Sequence, residues 1–464
     1  MRQHHNAVLA AGSAVALICT AVAKPEPVSA ASADNVVDAR INAIKQKIES
    51  LRQEQNQNWL NPADKEELRA LVEEIITDAQ SRTSLLAGGA SAGYDNGFYF
   101  ASDDGAFNLR MRIQAQFRAV WNNRDDSGSD DSAFGFENPR TKIIFKGDLF
   151  DDDFSFNVSG DFGSNGDFLL ENAFVKHKFE NGWSIWWGQQ KLPFLREEHI
   201  PSRFTQGVDR SYVNELTTLG RSQGVMVKYS NSTFHAAASF NQGAHIRSQY
   251  TNLEFRNTPF DDGTEYAGTA RAEAILAGDG GFTQFRDFSS WSDDQFAWLV
   301  GGAIHFQADE FGEGTSFKNK YFAWTADTQL EFGGANLFGS IVGLHVDSGD
   351  PAVDNFDQIG FVVQGGVFID PDKIELFGRA EYYDFDGAVT GVGGGGGRNP
   401  YDQEISLYTA GVNVFFAGHA RKWTTDFVWA ADQIPAAANG LGILKDALGQ
   451  DGQFVVRSQY QINF

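Results

Sequence analysis

The sequence predicts an all-β chain: a 16-stranded antiparallel transmembrane β-barrel with an N-terminal α-helical, coiled-coil-like segment on the periplasmic side. Three observations predict it. The first is the segment 107–121, FNLRMRIQAQFRAVW. One face carries Phe107, Leu109, Met111, Ile113, Ala115, Phe117, Ala119 and Trp121; the other carries Asn108, Arg110, Arg112, Gln114, Gln116, Arg118 and Val120. Such a run outlasts most soluble strands and fits a tilted strand with lipid outside and water inside. The second is the C-terminus, where Phe454, Val456, Ser458, Tyr460, Ile462 and Phe464 share one face and Gln453, Val455, Arg457, Gln459, Gln461 and Asn463 the other. The third is composition. The chain has 464 residues, with 49 Gly and 40 Phe. Its mean hydropathy is -0.33, and beyond the first 23 positions no apolar run is long enough for a membrane helix. That excludes a helical membrane protein. It leaves a barrel, whose alternating strands average to modest hydropathy.

The N-terminus reads as an address. Arg2, His4 and His5 precede an apolar stretch from Ala7 to Ala23, closed by the A-x-A pattern Ala21-Val22-Ala23. Residues 1–23 are the expected signal peptide, with cleavage as late as 33. The only cysteine, Cys19, lies inside it. A mature chain without cysteine excludes disulfide, iron–sulfur and thiolate–zinc chemistry. Residues 36–82 change to a helical period. Val37, Ile41, Ile44, Ile48 and Leu51 form a heptad seam. Asn61-Pro62 starts a second helix with the apolar stripe Leu68, Leu71, Val72, Ile75, Ile76 and Ala79. Oligomerisation, a cell-wall contact and a solvated spacer all fit, since two heptads are marginal for association in water.

From about residue 94 to 464 the period is two. Sixteen segments follow, near 107–121, 134–147, 154–162, 168–179, 183–190, 222–230, 232–241, 264–277, 296–307, 320–332, 337–346, 355–369, 373–385, 402–416, 421–432 and 453–464. Tight turns such as Glu180-Asn181-Gly182 and Ser230-Asn231-Ser232 alternate with long polar loops, the pattern of short periplasmic turns and longer external loops. Residues 278–295 break it, being long where a short turn is due. Trp183, Trp186, Trp187, Trp423 and Trp429 are expected in the interfacial girdles.

The net charge of -24 disfavours a nucleic-acid partner. Yet basic residues gather on the faces assigned to the lumen: Arg110, Arg112 and Arg118 on the first strand, Arg140, Lys142 and Lys146 on the second, then Arg379 and Arg457. Guanidinium groups bind carboxylate and phosphate through paired donors, so such a ladder favours anions. The loop 191–221 adds Lys191, Arg196, Arg203, Arg210 and Arg221 and is long enough to fold inward. Glu197, Glu198, Asp209 and Glu215 in the same loop could neutralise it. Nucleophile-elbow, zinc-protease and P-loop motifs are lacking, and the glycines at 391 and 393–397 read as an external loop. The expected protein is not an enzyme and needs no cofactor or metal.

These elements resemble the phosphate-selective porin O and P family of bacterial outer-membrane proteins. The resemblance rests on FNLRMRIQAQFRAVW, PRTKIIFKGDLFDDDFSFNVSGDFG, WWGQQKLPFLREEHIPSRFTQGVDRS, the segment Gly220-Arg221-Ser222-Gln223-Gly224 and the terminal Phe464. It departs at Lys191-Leu192-Pro193-Phe194-Leu195, where the family often closes with Gly. The resemblance implies a barrel over 94–464, commonly trimeric, with arginines lining a pore that binds small anions such as phosphate. It points to Arg110, Arg112, Arg140, Lys142, Arg203, Arg210 and Arg221. The expectation is therefore an outer-membrane channel passing small hydrophilic solutes with an anion preference. Its partners would be outer-membrane lipid, small anions, two further copies of the chain and, through 36–82, the cell wall. The alternatives are a general or cation-tolerant porin and a structural barrel tethered to the cell wall.

Overall fold

A computed structural model describes residues 90–126, 129–162, 166–243, 264–310, 318–347, 355–386, 404–435, 438–446 and 451–464. The signal peptide, the helical segment 36–82 and the glycine tract of 391–397 lie outside the described residues.

All sixteen expected strands are present. They are β3 (Phe107–Asp126), β4 (Ser129–Leu149), β5 (Asp151–Phe162), β6 (Phe168–Lys178), β7 (Trp183–Lys191), β8 (Arg221–Ser230), β9 (Phe234–Asn241) and β10 (Thr264–Ala277). They continue with β11 (Ala297–Glu310), β12 (Lys318–Glu331), β13 (Ala335–Asp347), β14 (Phe356–Asp370), β15 (Ile374–Asp384), β16 (Glu404–Ala417), β17 (Arg421–Ala430) and β18 (Gln453–Asn463). Each pairs antiparallel with the next, and β18 returns to β3 from Phe454↔Asn123 to Asn463↔Gln114. The last residue completes the closure: Phe464 N donates to Ile113 O at 3.0 Å, and Ile113 N donates back at 2.6 Å. A closed ladder leaves no edge and satisfies its backbone internally, which is what a strand in hydrocarbon requires.

Two differences from the sequence expectation concern this wall. Residues 122–126 and 129–133, expected in a loop, are strand; β3 and β4 continue to pair through Asn122↔Ala133 and Asn123↔Ser132. Before the barrel stands a hairpin of β1 (Ala90–Tyr94) and β2 (Phe98–Ser102). Its turn holds Asn96 and Gly97 at positive φ, 50° and 135°. A Cβ on Gly97 would stand 2.7 Å from Arg112 Cγ. β2 pairs with β3 from Phe98↔Met111 to Ala101↔Asn108, the stretch of edge left open beyond Phe464.

The outer face is an aromatic and aliphatic surface. Phe117, Trp121, Phe136, Trp187, Phe240, Ile304, Val363, Phe427 and Trp429 are all exposed, Phe136 to 81%. A soluble protein rarely shows so large an apolar surface; around a closed barrel it is the lipid-facing belt. Trp183, Trp187, Trp423 and Trp429 take this face as expected. Trp186 does not. It follows from period two that Trp186 and Trp187 point to opposite faces, and Trp186 stacks on the inward-facing Phe174 at 4.7 Å.

Candidate pore and its inward loops

The interior has two unlike halves, because two connections fold into it. The first is the loop between β7 and β8. Pro193 and Phe194 turn the chain inward, and a short helix, Tyr212–Thr217, is capped by the Ser211 side chain accepting from Asn214 N. A loop buried in a barrel lacks strand partners, so its backbone groups need others. The wall supplies them. Gln461 and Gln459 donate to Arg203 O and Val208 O, Lys422 to Thr205 O, Asn413 to Gln206 O, and Arg379 to Asp209 O. Asp426 and Glu381 accept from Val208 N and Val213 N. The polar face read in the C-terminal strand is thus partly a cradle for this loop. Leu192, Phe194, Tyr212, Val213 and Leu219 pack on Tyr321, Val342, Leu344, Val362, Ile405 and Leu407 of the wall. This is a hydrophobic core inside the barrel, against β11–β18.

The second is the connection 278–296, the segment that broke the turn pattern. It is long because it also folds inward. Arg196 of the loop donates to Phe285 O, and Gln206 donates to Phe288 O at 3.3 Å. Gln329 donates to Asp287 O, and Ser289 Oγ to Glu375 Oε2. Phe288 packs on Phe338, and Trp291 on Phe368 and Phe415. The two inward segments fill the β10–β18 sector from both ends. The open lumen is therefore displaced toward β3–β9.

The arginines separate into two sets. One locks the loop. Asp209 receives Arg118 at 3.0 Å and Arg140 at 2.8 Å. Burial would raise the Asp209 carboxyl, but Arg140 and Arg118 outweigh it and hold the group well below the usual carboxylate range. Arg118 is fully buried and also meets Glu137. Glu198 takes Lys191 at 2.7 Å and Arg210 at 3.4 Å; Arg210 and then Lys191 hold it low against its burial. Lys142 and Arg221 share Glu171 at 2.5 and 3.2 Å. Arg379 pairs with Glu381 and Arg457 with Asp426, each at 2.8 Å. Arg196 lies 3.2 Å from Glu273.

The other set faces the open side. Arg110 has only an exposed contact with Asp95 at 3.6 Å, which is worth little. Among the described residues, Arg112, Lys146 and Arg203 have no carboxylate within ion-pair reach. Burial, then Arg112 and Arg286, lower the Arg203 guanidinium to about 10. Neighbours of like charge without a counter-charge leave a positive field. Sequence reasoning passed over Lys176, Lys228 and Arg286. Lys176 and Lys228 sit over the Trp186 ring at 5.2 and 3.9 Å. The period-two pattern of ENAFVKHK and QGVMVKYS could have placed both lysines on the inner face.

A closed sixteen-stranded barrel with a lipid-facing belt and an inward loop defines an outer-membrane channel of the porin kind. Residues 107–278 match the family model of the phosphate-selective porin O and P, and the resemblance is shown over that stretch. It contains every motif quoted above except the terminal Phe464. No curated protein matches the chain. Solved structures share the fold. OmpT of Vibrio cholerae, expressed in the outer membrane, is 14% identical and has a TM-score of 0.51, covering 77% of this chain and 98% of its own. An anion-selective porin from Comamonas acidovorans is 12% identical with a TM-score of 0.51, covering 77% and 100%. The outer-membrane channel DcaP of Acinetobacter baumannii is 12% identical with a TM-score of 0.50, covering 78% and 99%.

Proposed function

We propose that the protein is a passive diffusion channel of the outer membrane that prefers small anions, phosphate among them. The observation that carries this reading is the group Arg112, Lys146 and Arg203, which borders the open side without carboxylate partners. Arg110 belongs with them. Arg118, Arg140 and Arg210 act through the loop, their charges spent on Asp209 and Glu198, while Lys142 and Arg221 spend theirs on Glu171 of the wall strand β6, so these five set the width of the pore more than its selectivity. Oxyanions suit free guanidinium groups because they accept paired donors. The anion-selective porin from Comamonas acidovorans supports the reading by likeness of fold. In the proposal the chain works as a homotrimer, with its N-terminal segment in the periplasm.

The test is the zero-current potential of the full-length channel in a potassium chloride gradient across a planar bilayer. The wild type should give an anion-selective sign, and Arg112→Glu with Arg203→Glu should move it by tens of millivolts toward cation selectivity. A cation-selective wild type would remove the reading and favour the cation-tolerant alternative. A trimer should run as a slow band in mild detergent and collapse to the monomer on boiling.

A further inference from the structure

Beneath the constriction loop, toward the periplasmic turns, lies a cavity of about 1080 Å³ bordered by Arg112, Arg203, Phe204, Arg286 and Trp291. Phe204 has two guanidinium groups near its ring: Arg203 at 4.5 Å from the loop and Arg286 at 5.8 Å from the second inward segment. Arg112 comes from the opposite wall, on β3. The side of the lumen formed by β6–β8 repeats the combination, with Phe174 and Trp186 stacked and Lys176 and Lys228 over the indole. Both aromatic groups lie inside the lumen beside cationic side chains. Arg286 also stands 3.7 Å from Asp287, whereas Arg203, Lys176 and Lys228 have a π face and, among the described residues, no carboxylate in ion-pair reach. Such an arrangement keeps the cation charged and unneutralised, since a ring face carries only a quadrupole.

We infer that the periplasmic vestibule binds organic anions that carry a flat aromatic ring, simple aromatic carboxylates being the class it fits. The carboxylate takes the place between Arg112, Arg203 and Arg286 and the ring lies against Phe204, where aromatic faces meet offset or edge-on; the Phe174–Trp186 pair with Lys176 and Lys228 on β6–β8 offers the same combination. Of the acids bordering the same cavity, Asp287 stands 3.7 Å from Arg286 and offsets part of its charge, which leaves Arg112 and Arg203 as the cations without a carboxylate in ion-pair reach among the described residues. Asp294 accepts from Trp291 N, and Asp287 accepts from Ser289 N beside His419. Asp279 and Asp293 also border the cavity. The inference rests on the anion-channel reading and gives it a substrate class.

The experiment measures block of chloride current through the full-length channel by benzoate, acetate and benzyl alcohol. Acetate carries the charge without the ring, benzyl alcohol the ring without the charge. Benzoate should block at about tenfold lower concentration than acetate, with benzyl alcohol weaker than both. In Phe204→Leu combined with Trp186→Leu the benzoate-to-acetate ratio should fall toward one. Arg286→Gln should weaken both carboxylates. Equal block by benzoate and acetate in the wild type, or an unchanged ratio in the double variant, overturns the inference. The potassium chloride zero-current potential, taken on the same membranes, separates the two failures. An anion-selective channel without benzoate preference loses only this inference; a cation-selective one loses the underlying reading as well.

Discussion

At the scale of single residues, Asp209 decides what the basic residues of the lumen can do. Period-two alternation places Arg118 and Arg140 on the inner face, and the structure puts them there. What alternation does not contain is the carboxylate between them, which arrives from a loop some ninety residues along the chain. That is why arginine positions were legible in the sequence and their availability was not. Asp209→Asn removes the carboxylate that two buried guanidinium groups share and leaves Arg118 only the part-exposed Glu137. Breaking a buried pair in this way costs about 3–5 kcal/mol. The variant should lose its folded, heat-resistant form in detergent well below the wild-type temperature, and its single-channel current should flicker as the loop detaches. A wild-type thermal transition would show that the pair does not hold the loop. Acid should do the same chemically. Asp209 and Glu198 have folded pKa values below their ordinary ones, so their stabilisation is full above the unfolded value of about 4 and fades as pH falls below it. Glu197, in the same loop, works the other way, since burial raises it. Conductance should be steady from neutral pH down to about pH 5 and become noisy below about pH 3. A transition centred near neutrality would point to a different group.

At the scale of elements, the strands were written plainly and the inward segments were not. Alternation reports a boundary between lipid and water, and every barrel strand has that boundary. Hairpin β1–β2 lacks it, being five residues a side at the mouth. Its signal was the Asn96-Gly97 pair, a favoured turn dipeptide. The segment 278–296 reads as an over-long turn because its partners come from distant strands, Gln329 and Glu375 among them. Trp186 turns inward on β7, where its Nε1 donates to Ser184 Oγ at 3.0 Å. If 278–296 is a fixed filler of the periplasmic half, replacing 279–295 by a turn of about four residues opens that half to water. Single-channel conductance should rise by at least about 1.5-fold. An unchanged conductance would mean that the narrowest part lies entirely at the Asp209 loop.

For the whole molecule, the barrel separates two solvents across one strand, so neighbouring residues answer opposite questions. Asn157 and Val158 on β5 test this. Asn157 faces inward, paired in register with Lys146 and Phe174. Val158 faces outward and is 41% exposed, a value that in water would be a liability and in lipid is a requirement. Arginine at Val158 meets hydrocarbon, at a cost of about 2–4 kcal/mol near the midplane. Arginine at Asn157 meets the water-filled side beside an unpaired Lys146 and joins the positive wall. Val158→Arg should therefore fold poorly into lipid vesicles, read as the fraction shifting mobility on heating. Asn157→Arg should fold as the wild type does and move the zero-current potential further in the anion direction. Both variants add the same side chain one residue apart, so propensity and net charge cannot produce the difference; only the face can. Equal folding of the two would deny that β5 spans a bilayer. Normal folding of Asn157→Arg without a change in selectivity would leave the barrel in place and put the ions elsewhere than the β3–β9 side.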